Sequence, residues 1–143
     1  MTMKPTSFHL LALLLLSGLL ITGCELLLGD DPSLTDTRWH LEAIENTSGE
    51  VILDPDPDES YWIRFHADST VTAMNACNEC GGRYEINDSA LSIGVGCTEI
   101  GCGTLNYGVA LSHTTSYAIT GDELRLHSTD RRGNGQILVH RPD

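Results

Sequence analysis

Four cysteines in two tight pairs, Cys77/Cys80 and Cys97/Cys102, constrain this chain more than any other feature. Such pairs serve three chemistries. In an oxidising compartment they close disulfides. As thiolates they can form a zinc tetrahedron, for which Cys77-x2-Cys80 is well spaced and Cys97-x4-Cys102 is at the loose end. A redox Cys-x-x-Cys, in contrast, opens a helix whose N-terminus lowers the thiol pKa. Here Gly81-Gly82 and a strand-like stretch follow Cys80 instead. The compartment therefore decides between the first two.

The N-terminus speaks to the compartment. Lys4 gives a short positive start, and Leu10 to Ile21 form a largely apolar run of 12 residues. A membrane span needs about 20 residues, so the run fits the core of a signal peptide. It ends in Ile21-Thr22-Gly23-Cys24. This resembles the lipobox of bacterial lipoproteins, which directs lipidation of the Cys and cleavage before it. The expectation is a signal peptide over 1–23, a lipidated Cys24 with its tether over 24–33, and one domain over 34–143. Two or more acyl chains on Cys24 make a stable anchor. Glu25 is not Asp, which under the enteric sorting rule places the protein in the outer membrane of a bacterial envelope. Of five cysteines one is then lipidated, and the remaining four are an even number outside the cytoplasm, where such pairs are oxidised. Three connectivities are open to them.

Removing 23 of 143 residues leaves 120, enough for one domain with one core. The net charge is −12, and Lys4 is the only lysine. Nucleic acid demands a basic surface, so it is excluded as a partner.

The domain reads as strands. Trp39, Leu41 and Ala43 alternate, as do Tyr61, Ile63 and Phe65; Val71 and Ala73 follow on a return strand. Gly82 to Ile86 and Ala90 to Gly94 flank the turn Asn87-Asp88-Ser89. Tyr117 and Ile119, then Leu124 and Leu126, make a hairpin about Gly121-Asp122, and Ile137 to His140 closes the chain. Thr104 to Thr115 breaks the pattern; Leu105, Val109 and Leu111 mark one face of a short helix, which Gly108 weakens. The predicted fold is mainly β: a small antiparallel curled sheet or partly closed barrel of seven to eight short strands with one helix.

The order of these pieces resembles the META domain of HslJ-like bacterial lipoproteins. Thr37-Arg38-Trp39-His40-Leu41 opens the match, and Ile63-Arg64-Phe65 continues it. Cys77-Asn78, Gly82-Arg83-Tyr84 and Leu91-Ser92-Ile93 follow, with Cys97-Thr98 through Cys102 in place of a Thr-rich stretch. Tyr117-Ala118-Ile119, Gly121-Asp122 and Leu124-Arg125-Leu126 complete it. Members often carry Gly where this chain has Met74-Asn75-Ala76. Cys77 and Cys102 fall on the usual cysteine positions, so the resemblance implies that they pair, leaving Cys80 to pair with Cys97. Each cross-link would add about 3 kcal/mol in the chain-entropy account. The resemblance also implies a link to envelope stress for some members.

No catalytic signature is present: GxSxG, HExxH and a phosphate loop are all missing. Asp54, Asp56, Asp58 and Glu59 fail the calcium-loop pattern, since its sixth and twelfth positions are Glu59 and Phe65. His40, His66, His113, His127 and His140 are scattered and read as surface residues, while Trp39 reads as core and Trp62 as either a binding contact or a second packing face. The expectation is a non-enzymatic, membrane-anchored module without a cofactor or metal, working with an unidentified envelope protein. Two alternatives are a zinc module built on the four cysteines and an inhibitor or chaperone-like partner of secreted proteins.

Overall fold

Alternating burial generates nine strands and one helix in the computed structural model, which describes residues 33–143. The signal-peptide run, Cys24 and the tether residues through 32 lie outside the described residues. The elements are β1 (Arg38–Asn46), β2 (Val51–Leu53), β3 (Tyr61–Phe65), β4 (Thr70–Asn75), β5 (Asn78–Asn87), β6 (Ala90–Cys97), α1 (Tyr107–Ser112), β7 (Ser116–Thr120), β8 (Glu123–Thr129) and β9 (Gly135–Pro142). They form one sheet in the order β2-β1-β3-β4-β5-β6-β7-β8-β9, with every named pairing antiparallel. A further pairing of β1 with β9 curls the sheet into a ring. The ninth strand is β2, a three-residue piece on the edge of β1 whose Val51 and Ile52 are exposed.

The ring has one thin seam. β6 and β7 share a single residue pair, Ala90 with Ser116. Two further bonds flank it: Leu91 N–H to the Thr115 carbonyl (3.0 Å) and Tyr117 N–H to the Ser89 carbonyl (3.1 Å). Past that point the strands separate, and α1, carried by the β6–β7 connection, packs on β6.

Trp39, Ile63, Phe65, Leu91, Leu124, Leu126 and Leu138 fill the interior. Burial of each large aliphatic or aromatic side chain is worth about 1.5–3 kcal/mol. The Trp39 indole N–H donates to the Leu34 carbonyl at 3.1 Å, so its polar atom is satisfied within the core. The predicted alternation in β1 fails after Leu41. A bulge between Leu41 and Ala43 shifts the pairing with β9 by one residue, so Ile44 is buried where Ala43 was expected. The helix face also differs from the predicted one. Tyr107, Gly108, Ala110 and Leu111 are buried, and Val109 is only half-buried.

His140 contradicts its reading as a surface residue, because it is fully buried. β9 passes between β1 and β8, so His140 is flanked by Leu41 and Leu124. Its Nδ1–H donates to the Leu138 carbonyl (3.1 Å), which leaves Nε2 to accept the Tyr107 hydroxyl (2.8 Å). Tyr107 meets Tyr61 edge to face, with ring centroids 5.8 Å apart. Burial pushes the Tyr107 hydroxyl pKa upward and lowers that of His140 from 6.5 to about 3.

The sign of the consequence is fixed. Between pH 6.5 and 3 the unfolded chain holds a proton on His140 that the folded chain refuses, so stability falls as pH falls through that window, by at most about 1.4 kcal/mol per pH unit. His140→Gln keeps an acceptor for Tyr107 and does not titrate. Denaturant unfolding from pH 6.5 to 5 should therefore show the parent chain losing about 1.5 kcal/mol more than the variant. Parallel curves would contradict the buried neutral imidazole.

Candidate functional site

Cys80 and Cys97 stand directly opposite each other on β5 and β6. The Thr98 N–H donates to the Glu79 carbonyl (2.9 Å), so the next pair, Cys80 with Cys97, is a non-hydrogen-bonded one, where strands approach most closely. The Cα atoms are 4.0 Å apart and the sulfurs are bonded. The second disulfide joins Cys77, in the turn from β4 to β5, to Cys102 in the loop before α1, across 6.1 Å between Cα atoms. All four sulfurs are thus engaged in two covalent bonds and do not form a thiolate tetrahedron. No group of three metal-ligating side chains is placed to hold an ion among the described residues.

Between the two cross-links lies Asn78, buried although polar. Its Oδ1 accepts the Ile100 N–H at 2.7 Å and the Thr98 hydroxyl at 3.2 Å. Its Nδ2 donates to the Ile100 carbonyl at 3.0 Å and to Cys102 Sγ at 3.4 Å. One amide thus stands in for the strand partner that residues 99–102 lack. Ile100 itself points outward and is 60% exposed.

A second set of bonds fixes the rest of the loop. The Tyr61 hydroxyl donates to Glu59 and accepts the N–H groups of Thr104 and Leu105, both at 3.2 Å. Glu59 also accepts the Thr104 hydroxyl at 2.9 Å. These bonds hold the Glu59 carboxyl below its ordinary pKa, the Tyr61 hydroxyl contributing most. Desolvation, with Glu59 second, raises Tyr61. Glu59 stays ionised and Tyr61 stays protonated, which suits a strut and not a proton shuttle.

The loop, the second half of β6 and the outer side of α1 enclose an open cleft of about 620 Å³. Val95, Ile100, Leu105 and Val109 supply its apolar lining. Glu99 is its acidic group, and neither arginine nor lysine lines it among the described residues. Ser112 and His113 adjoin on its wall but do not form a nucleophile and base. The Ser112 hydroxyl donates to the Gly108 carbonyl at 3.1 Å, and His113 Nδ1 lies 3.2 Å from the Thr129 carbonyl. Trp62 is elsewhere, half-buried on the outside of β3, with the Arg38 guanidinium 4.7 Å above its ring. Sequence reasoning misses Asn78 and Tyr61 as site residues and reaches Glu59 only through the calcium-loop pattern that it fails. The only local sign was Asn beside Cys in the Cys77-Asn78 pair.

Truncation of Asn78 leaves the Ile100 N–H without a partner, while the Ile100 carbonyl keeps the Cys102 N–H, at about 1–3 kcal/mol. Asn78→Ala should lower stability by that amount and speed amide exchange at Ile100 while both disulfides remain closed. Unchanged exchange at Ile100 would remove Asn78 from its role as template.

Solved structures share the fold. The chain matches an NMR structure of a protein from Burkholderia xenovorans at 22% identity and a TM-score of 0.55, covering 77% of this chain and 83% of that one. It also matches a crystal structure of a DUF4847-family protein from Bacteroides vulgatus at 17% identity and a TM-score of 0.55, covering 76% and 93%. At such identities these likenesses concern the fold alone. No curated protein matches the chain. The family model of the META domain matches residues 32–139, nearly the whole described region, and the chain belongs to the META domain family.

Proposed function

We propose that this protein is a lipid-anchored component of a bacterial envelope whose META domain is a non-catalytic binding or structural module. One observation carries the non-catalytic reading. Of the polar side chains that wall the cleft, Asn78, Thr104 and Ser112 are engaged in fixing backbone or neighbouring side chains, and His113 Nδ1 lies against the Thr129 carbonyl. Asn75 Oδ1 is buried without a partner among the described residues, but an amide neither titrates nor attacks, and no hydroxyl of the wall is paired with a base as a nucleophilic centre requires. What remains open is shape: a rigid cleft with an apolar lining and an acidic rim.

Two features support the anchored reading. Ile21-Thr22-Gly23-Cys24 follows an apolar run of signal-peptide length. Two disulfides over so short a stretch fit an oxidising compartment. The outer membrane is the expected site because Glu25 follows Cys24. The stress association implied for some family members fits a module that contacts other envelope proteins.

Expression of the whole chain in a bacterium with lipoprotein processing tests this directly. The parent protein should sediment with membranes and carry a diacylglycerol and an acyl chain on an N-terminal Cys24. Cys24→Ala should lose both the lipid mass and the processing. An unlipidated parent, or a variant cleaved at the same bond, would overturn the anchor.

A further inference from the structure

The seam between β6 and β7 leaves part of β6 without a partner. Across β5–β6 the hydrogen-bonded pairs are Glu79 with Thr98, Gly81 with Gly96, and Arg83 with Gly94, as the bond from Thr98 N–H to the Glu79 carbonyl fixes. The alternate residues Leu91, Ile93, Val95 and Cys97 therefore turn their N–H and carbonyl groups away from β5. Leu91 uses its N–H on the Thr115 carbonyl. Val95 and Cys97 have no backbone partner among the described residues. Both line the 620 Å³ cleft, and neither is fully buried. The cleft thus runs beside an open strand edge, with Val109 and Ser112 of α1 as the opposite wall.

We propose that this edge takes up an extended, cationic peptide segment as an added strand along Val95 and Cys97. The inference rests on the binding-module reading above and names its partner class. The main-chain groups of Val95 and Cys97 supply the pairing, as in strand addition generally. The lining supplies selectivity: Val95, Ile100 and Val109 receive apolar side chains at alternate positions, and Glu99 faces arginine or lysine on the others. Glu59 adds negative charge beside Thr104 at the same rim. Charge also argues against a second copy of this chain as occupant, since each copy carries −12.

An alternating Arg–Val peptide is the probe, added to the whole chain in neutral detergent and followed by NMR amide exchange. Exchange at Val95 and Cys97 should slow by about tenfold or more on saturation. Val95→Pro removes the outward N–H without breaking a bond to β5, and it should weaken binding by about tenfold or more. A peptide N-methylated at alternate amides should fail on the parent protein, which keeps the test valid if the variant misfolds. Four results would overturn the proposal: no binding, binding without protection at Val95 and Cys97, equal affinity for a Glu–Val peptide, or protection of the same amides by self-association. None of these touches the lipidation test, and an unlipidated protein would leave this measurement intact.

Discussion

Helix α1 lies against β6 because position 108 has no side chain. A Cβ on Gly108 would sit 2.6 Å from Cys97 Sγ and 3.8 Å from Cys80 Sγ, so the helix rests directly on the Cys80–Cys97 bond. That contact places Tyr107 where its hydroxyl reaches His140 and its ring meets Tyr61. Tyr61 in turn holds Thr104 and Leu105, the residues that lead into the helix. Disulfide, helix and loop form one mechanical unit, and loosening any of the three releases the others. A second close approach lies two residues further along the same strand pair. A Cβ on Gly82 would meet the Gly94 carbonyl oxygen at 1.8 Å, so β5 and β6 tolerate no side chain at that crossing.

The cleft is a by-product of that arrangement. A ring of antiparallel strands ordinarily removes its own edges. Here the β6–β7 connection carries a helix, and β7 meets β6 at one residue pair before leaving it. The helix covers the apolar interior but supplies no main-chain partners to Val95 and Cys97. Apolar closure and hydrogen-bond closure thus occur at different places, and the space between them is the cleft. The outer surface of the opposite side is tied differently. Arg125 of β8 reaches Glu45 of β1 and Glu123, and Arg141 of β9 reaches Glu123. Such partly exposed pairs contribute little individually.

Much of the fold is legible in the sequence because a half-buried strand writes its burial into every second residue. Ile63 and Phe65, Leu91 and Ile93, and Leu124 and Leu126 carry that record, and all are buried. The bulge after Leu41 breaks the record without any local marker. His140 looks like any polar residue of a terminal strand, because its burial depends on Tyr107 from a distant helix. Gly108 argues against a helix by propensity and is required there by the disulfide beneath it. Ala76 shows the reverse relation. It holds a left-handed backbone, with φ of 58°, a conformation that favours Gly, within the Met74-Asn75-Ala76 stretch. As for the site, spacing among Cys77, Cys80, Cys97 and Cys102 left three connectivities open, and only the family resemblance singled one out. The role of Asn78 was invisible, since its partners are backbone groups some 22 residues away.

Helix, loop and cleft all rest on two nested cross-links, Cys77–Cys102 around Cys80–Cys97. The measurement that tests this most directly is the intact mass of the chain produced in an oxidising compartment, taken denatured with and without reductant and followed by peptide mapping. A gain of four hydrogens on reduction, with fragments joined in the nested pairing, is the predicted result. Free thiols, a bound metal, or fragments joining Cys77 to Cys80 would contradict it, because α1 would then have no disulfide to rest on.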